Sequence, residues 1–159
     1  MTIQVLFVCL GNICRSPTAD GVFQHQVAAA GLQQHIKVDS GGTAGWHQGR
    51  PSDSRTIATA RKRGYDLSPL RARQVVAEDF ASFDYILAMD GENLRNLQIM
   101  QPRDYAGHLG LFLAFSQQRV FTEVPDPYHG DDRDFELVLD LAEDAAAGLL
   151  NFIRSKHNL

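Results

Sequence analysis

The sequence predicts an α/β fold, a single three-layer domain in which a four-stranded parallel sheet carries helices on both faces. Three observations predict it. Short apolar runs of strand length alternate with longer amphipathic stretches, the order that builds parallel sheets. The first run is apolar at consecutive positions, as a strand covered on both sides requires. The longest amphipathic stretch, near the C-terminal end, carries an apolar stripe of helical period that another layer must cover.

Ile3–Cys9 ("IQVLFVC") is the first strand. Pro17–Gly31 reads as the first helix, with Ser16 as N-cap, Pro17 at the first helical position and Gly31 as the stop. The third helical residue is Ala19, so no capping box forms. Ile36–Ser40 is the second strand. Ser52–Gly64 is the second helix, opened by Ser52 and ended by Gly64. Tyr85–Met89 ("YILAM") is the third strand and Glu92–Gln101 a helix, with Met89-Asp90 reading as a strand end and a helix cap. Leu109–Phe115 is apolar and reads as a short fourth strand. Asp134–Lys156 is the terminal helix, with Phe135, Val138, Leu141, Ala145, Leu149 and Phe152 at helical spacing. No linker, repeat or low-complexity tract interrupts this order, so residues 1–159 read as one domain.

Composition narrows the function classes. The 159 residues are 44% hydrophobic and 21% charged, ordinary for a soluble globular chain with a real core. No run reaches membrane-spanning length, and Met1-Thr2-Ile3-Gln4 lacks the start of a signal peptide. A cytoplasmic protein is the expectation. The net charge of −4 argues against general nucleic-acid binding, which needs a basic face. The only cysteines, Cys9 and Cys14, are too few and too close for a disulfide scaffold and point to chemistry or redox sensing. The six histidines are scattered without metal spacing, so neither a metal nor a cofactor is expected. Arg61–Arg63 reads as the wet face of the second helix, and Asp131, Asp132 and Asp134 as charges that favour a helix N-terminus.

In parallel α/β folds ligands sit beyond the C-terminal ends of the strands. The stretch "CLGNICRS", Cys9–Ser16, lies there, between the first strand and the first helix. A loop wrapped onto a helix N-terminus turns several backbone N–H groups inward and adds the positive end of the helix dipole, which makes an anion cradle. Gly11 and Asn12 suit such a loop because both tolerate left-handed backbone. Arg15 adds a planar fork able to hold two phosphate oxygens. The donors that bind a dianion also favour a thiolate, so Cys9 reads as a nucleophile built into a phosphate site. Hydrolysis through a phosphocysteine also needs a general acid for the departing oxygen. Asp126 in "VPDPYHG" stands between Pro125 and Pro127, which stiffen its loop. From its local sequence alone an ordinary Asp-Pro turn is the stronger reading.

"VCLGNICRSPTAD", with "DPY" far downstream, closely resembles the low-molecular-weight protein tyrosine phosphatase family. The resemblance extends through "DSGGTAGWHQGRPSD" (Asp39–Asp53), "ARQV" (Ala72–Val75), "DF" (Asp79-Phe80) and "FDYILAMDGEN" (Phe83–Asn93), nearly the whole chain. The nucleophile before the acid is also this family's chain order. The resemblance implies hydrolysis of phosphotyrosine and small aryl phosphates, with Cys9 as nucleophile, Arg15 as phosphate-binding arginine and Asp126 as acid and then base. Leu10, Gly11, Asn12, Ile13 and Cys14 would supply loop amides, and Ser16 would hydrogen-bond the cysteine sulfur. Asn12, Ser16 and Ser40 would hold the loop in shape. Trp46 and Tyr128 would wall the substrate cleft. His47, beside Trp46, reads either as a rim residue or as a solvated loop histidine, and His129, next to Tyr128, as a further candidate for the rim. The implied partner is a tyrosine-phosphorylated protein, met by a monomer or weak dimer.

Two departures stand out. Where members carry a histidine in "GH-x-ARQ", this chain has Leu70 in "SPLRARQ", so either another group satisfies Asn12 or the loop is less rigid. His129 stands where many members have an aromatic residue or glycine. Two other functions use comparable features. An arsenate reductase needs relay cysteines downstream, and nothing after Cys14 is a cysteine. A non-catalytic phosphate-binding module would be expected to lack the nucleophile or the acid, and both are present. Cys14, in the same loop as Cys9, reads as a resolving cysteine that traps an oxidised nucleophile as a reversible disulfide.

Overall fold

A computed structural model describes all residues, Met1–Leu159. Its strands are β1 (Ile3–Cys9), β2 (Ile36–Gly42), β3 (Tyr85–Ala88) and β4 (His108–Leu111). Its helices are α1 (Arg15–Ala29), α2 (Ser54–Lys62), α3 (Asp79–Ser82), α4 (Gly91–Met100) and α5 (Asp132–His157). The strands form one sheet in the order β2-β1-β3-β4, and every pairing is parallel. The three-layer α/β architecture is therefore the observed one.

Alternation along β1 explains the layers. Ile3, Val5, Phe7 and Cys9 point to one face and join Phe23 of α1 and Val138, Ala145 and Leu149 of α5 in the larger core. Leu6 and Val8 point to the other and join Ile86, Phe80 of α3 and Leu97 of α4 in a smaller one. Phe7 anchors the larger core, edge-on to Phe23 at 5.7 Å and to Phe112 at 4.9 Å. No helix is long and apolar enough to cross a membrane.

The boundaries differ from the sequence expectation where side chains have other work. α1 begins at Arg15, not Pro17, and Cys14 occupies its N-cap without a side-chain cap bond. Ser16 is thus inside the first turn, with its hydroxyl turned to Cys9 instead of capping. α1 ends at Ala29, ahead of Gly31, whose φ of 72° takes the left-handed position after the helix. β2 runs two residues past Ser40, because Gly41 and Gly42 continue the ladder opposite Val8 and Cys9. A side chain at Gly42 would meet the Leu10 carbonyl oxygen at 2.7 Å, so the phosphate-site loop lies directly on this strand end.

α2 is capped by Asp53, which accepts from the Arg55 N–H at 2.8 Å, while Ser52 is buried. The expected fourth strand is split: His108–Leu111 pairs with β3, but Phe112–Phe115 coils into a 3₁₀ turn that drives Phe112 into the core. An apolar run alone does not distinguish these states. α5 starts at Asp132 because Asp131 and Asp134 close a capping box, which puts Asp134 at the third helical position instead of the first. Its expected stripe is buried except for Phe152, which is half-exposed against Phe115 and Tyr85. The four-residue α3 has no counterpart among the expected elements.

Candidate active site

Cys9 ends β1 and Arg15 opens α1, so the loop between them sits at the C-terminal edge of the sheet, on the positive end of a helix. Of the two residues suited to left-handed backbone, Asn12 takes it, with φ of 58°. Gly11 does not. Its missing side chain instead lets His47 approach, at 3.0 Å from where a Cβ would stand.

Asn12 organises the loop. Its backbone N–H points to Cys9 Sγ at 3.3 Å. Its side-chain amide donates to Ser16 Oγ at 2.8 Å and to Ser40 Oγ at 3.0 Å. Its carbonyl oxygen Oδ1 accepts from the Arg73 backbone N–H at 3.0 Å. Asn12 is 2% exposed, and every one of these bonds replaces water it has lost. The Leu70 departure is thereby resolved: another group, the Arg73 amide, satisfies Asn12. Leu70 itself is half-buried in a depression shared with Gly21, Gln24 and Tyr65.

Ser16 Oγ lies 3.0 Å from Cys9 Sγ. Both thiols are free. Burial pushes the Cys14 thiol up to about 12, and the nearby Asp53 charge adds to the effect. Cys14 therefore stays protonated at neutral pH.

Arg15 is 4% exposed, and its ionic surroundings explain how a buried guanidinium is tolerated. One terminal nitrogen donates to Asp90 Oδ2 at 2.7 Å and to the Val124 carbonyl at 3.1 Å. The other faces Asp126 Oδ2 at 3.8 Å. Burial opposes its charge, but Cys9, Asp90 and Asp126 together raise its pKa above the ordinary value. Asp90 is the residue that sequence reasoning missed. The cap expected of it is present, since its Oδ1 accepts from the Asn93 N–H at 2.7 Å. Its second oxygen also fixes Arg15, 75 positions away.

Asp126 is half-exposed between its two prolines, and its Oδ1 accepts from the Tyr128 N–H at 3.2 Å. A cleft of about 280 Å³ joins the parts. Cys9, Leu10, Gly11, Ile13, Cys14 and Arg15 form its floor. Trp46, His47, Asp126, Tyr128 and His129 form its walls, so all four residues expected at the rim are brought there. His129 stands edge-on to Tyr128 at 5.0 Å, and the Arg55 guanidinium lies over the Tyr128 ring at 5.4 Å. Asn12, Ser16 and Ser40 lie behind the floor. No group of three or more metal-ligating side chains occurs.

Comparison with known proteins identifies similar chains. Residues 4–159 match the family model described as low molecular weight phosphotyrosine protein phosphatase. The chain is 40% identical to the low molecular weight protein-tyrosine-phosphatase YfkJ of Bacillus subtilis, covering 99% of each chain. It is 42% identical to the human low molecular weight phosphotyrosine protein phosphatase, covering 86% of this chain and 87% of that one. Among solved structures, the protein tyrosine phosphatase of Entamoeba histolytica with Hepes in its active site superposes with a TM-score of 0.93. That match is at 38% identity and covers 99% of this chain and all of that one.

Proposed function

Because the chain belongs to the low molecular weight phosphotyrosine protein phosphatase family, we propose that Cys9, Arg15 and Asp126 carry its hydrolysis of phosphotyrosine. The observation that supports these roles is their convergence on one cleft, with the Arg15 guanidinium between the Cys9 loop and Asp126. The loop amides of Leu10–Cys14 and the Arg15 fork hold three phosphate oxygens. The Cys9 thiolate attacks phosphorus from the floor. A P–S bond forms, the P–O bond to the phenol breaks, and Asp126 gives its proton to the leaving oxygen. In the second step Asp126 takes a proton from water, whose oxygen attacks phosphorus. The P–S electrons return to sulfur, which the Ser16 hydroxyl stabilises from 3.0 Å.

Specificity follows from depth. The phosphate lies on the floor, and an aromatic ring spans the distance to the rim between Trp46 and Tyr128, which a phosphoserine side chain is too short to do. Trp46 is 72% exposed, ready to lose water against a ring. The substrate is a phosphoprotein presenting phosphotyrosine, met by residues 1–159 as one domain, monomeric or weakly dimeric. The cytoplasm, which keeps both thiols reduced, suits the chemistry.

The test is turnover of an aryl phosphate and of matched phosphotyrosine and phosphoserine peptides. Activity should persist in a chelator. Cys9→Ser should abolish it, because an alcohol holds its proton too tightly to attack as an anion in this loop. Asp126→Ala should slow turnover by about 10²- to 10⁴-fold, and by less where the leaving group needs no proton. Full activity in Cys9→Ser would overturn the reading.

A further inference from the structure

One cation beside the cleft has no part in this mechanism. Arg55, in the first turn of α2, does not line the cleft. Its guanidinium nevertheless lies over two aromatic rings. One is Tyr128, the substrate wall, at 5.4 Å, and the other is Phe135 of α5, at 4.7 Å. Phe135 is buried on a helix, whereas Tyr128 is 41% exposed on a loop. An exposed tyrosine ring samples several orientations on a fast timescale unless something selects one.

The guanidinium is itself fixed. Its Nε donates to Asp53 Oδ1 at 3.1 Å and a terminal nitrogen donates to Oδ2 at 3.0 Å, a two-toothed grip that sets the plane of the group. Asp53 is held in turn. Its Oδ1 caps α2 through the Arg55 backbone N–H at 2.8 Å, and its own N–H donates to the Ile13 carbonyl at 2.9 Å. Ile13 belongs to the phosphate-binding loop. A continuous series of contacts therefore runs from that loop through Asp53 and Arg55 to the Tyr128 ring. Asp53 also balances the Arg55 charge, so what the guanidinium supplies to the cleft is chiefly orientation.

We propose that Arg55 is a positioning residue for substrate recognition, which holds the Tyr128 ring in one orientation relative to the phosphate-binding loop so that it stacks on the aromatic ring of the substrate. The proposal rests on the roles assigned above to Cys9, its loop and Tyr128. A cation over a ring face favours the orientation that keeps the face toward it. His129, edge-on to the same ring at 5.0 Å, confines it from a second direction. The wall is then in place before the substrate arrives, and binding does not have to order it.

The experiment compares two ligands that use different parts of the cleft. An aryl phosphate needs floor and wall, whereas inorganic phosphate, as a competitive inhibitor, needs only the floor. Arg55→Ala removes the guanidinium but keeps the backbone N–H at position 55, so the Asp53 cap and its bond to Ile13 survive. In this variant kcat/KM for the aryl phosphate should fall by about 2- to 5-fold, the worth of one cation–π contact at an exposed site. The kcat itself should change little, because Asp126 is held by the Tyr128 backbone N–H, which the variant retains. The inhibition constant of phosphate should be unchanged. In Tyr128→Ala, where the ring is gone, adding Arg55→Ala should lower kcat/KM no further, since substitutions on one contact are not additive.

An unchanged kcat/KM in Arg55→Ala would overturn the proposal, because the ring would then need no support. An equal loss in phosphate inhibition would overturn it too, since general loosening of the site, or a charge acting at a distance, weakens both ligands alike. So would a loss that persists in full on the Tyr128→Ala background, which would place the effect away from the ring. Cys9→Ser measured alongside distinguishes the failures. If it is inactive while Arg55→Ala matches wild type, only the role of Arg55 falls. If it keeps full activity, the reading of the site falls and the role of Arg55 with it.

Discussion

The cleft works through single atoms, and Asp90 shows how one carboxylate serves two elements. Its Oδ2 fixes Arg15 at 2.7 Å, and its Oδ1 caps α4 through the Asn93 N–H at 2.7 Å. Asp90→Asn keeps an oxygen for one of these bonds but removes the charge that balances a buried guanidinium. We expect kcat/KM for an aryl phosphate to fall by about 10- to 100-fold, with the loss chiefly in KM, because charge-assisted bonds of this kind are worth about 1.5–3 kcal/mol. A kcat loss with KM unchanged would show that Asp90 acts otherwise than by holding Arg15 for the phosphate-binding role proposed above. Cys14 makes a second residue-scale case. Its pKa of about 12 keeps it a thiol, protected from direct oxidation, while it lines the same cleft as Cys9. After peroxide oxidises Cys9 to the sulfenic acid, condensation with the Cys14 thiol forms the S–S bond and releases water. Wild type should regain most activity in dithiothreitol and show an intramolecular Cys9–Cys14 disulfide by mass spectrometry, whereas Cys14→Ser should recover poorly. Equal recovery with no disulfide would exclude a protective role. The Cys9–Ser16 loop was legible in the sequence because strand, glycine, arginine and helix start are contiguous. Asp90 was not, because a helix cap and a cap that also pairs with an arginine 75 positions away look alike in a local window.

Elements came out of the sequence where burial enforces a period, and failed where tertiary contact overrode it. β1 is read correctly to the residue, since a strand covered on both sides leaves a continuous apolar run. At two helix starts the expected serine did not cap. Ser16 lies inside the first turn on the Cys9 sulfur and Ser52 is buried, so Cys14 holds the N-cap position of α1 without a side-chain bond and Asp53 caps α2. The 3₁₀ turn at Phe112–Phe115 was hidden in an apolar run, yet it sets a close contact with the terminal helix. A Cβ at Gly148 of α5 would stand 1.9 Å from the Phe115 carbonyl oxygen, backbone that no side-chain rotation can clear. Alanine favours a helix interior over glycine by about 1 kcal/mol, so propensity alone predicts that Gly148→Ala stabilises. The contact reverses the sign. We expect a loss of about 1–3 kcal/mol, the usual penalty of overpacking, read as a lower melting temperature. A stabilised variant would mean that the turn moves away from α5 without cost.

At the scale of the molecule, the site ties together segments that the sheet alone leaves separate. The loop after β1 is held by Ser40 of β2, by the backbone of Arg73, and through Arg15 by Asp90 at the end of β3 and the Val124 carbonyl. An anion in the cradle is thus bound by the folded arrangement of the whole chain and by nothing in the unfolded one. Linkage then requires it to stabilise the fold, by about 2.7 kcal/mol when present at 100 times its dissociation constant. For a chain of this size that corresponds to a rise of roughly 5–10 °C in Tm. Inorganic phosphate should produce that rise in wild type. Asp90→Asn should need a higher phosphate concentration for the same shift, because its arginine is less firmly aimed. Cys9→Ser, expected to be inactive in turnover, should keep the full shift, because it leaves the amides and Arg15 in place. Loss of the shift in Cys9→Ser would show that the sulfur, and not the loop and arginine around it, is what holds the phosphate.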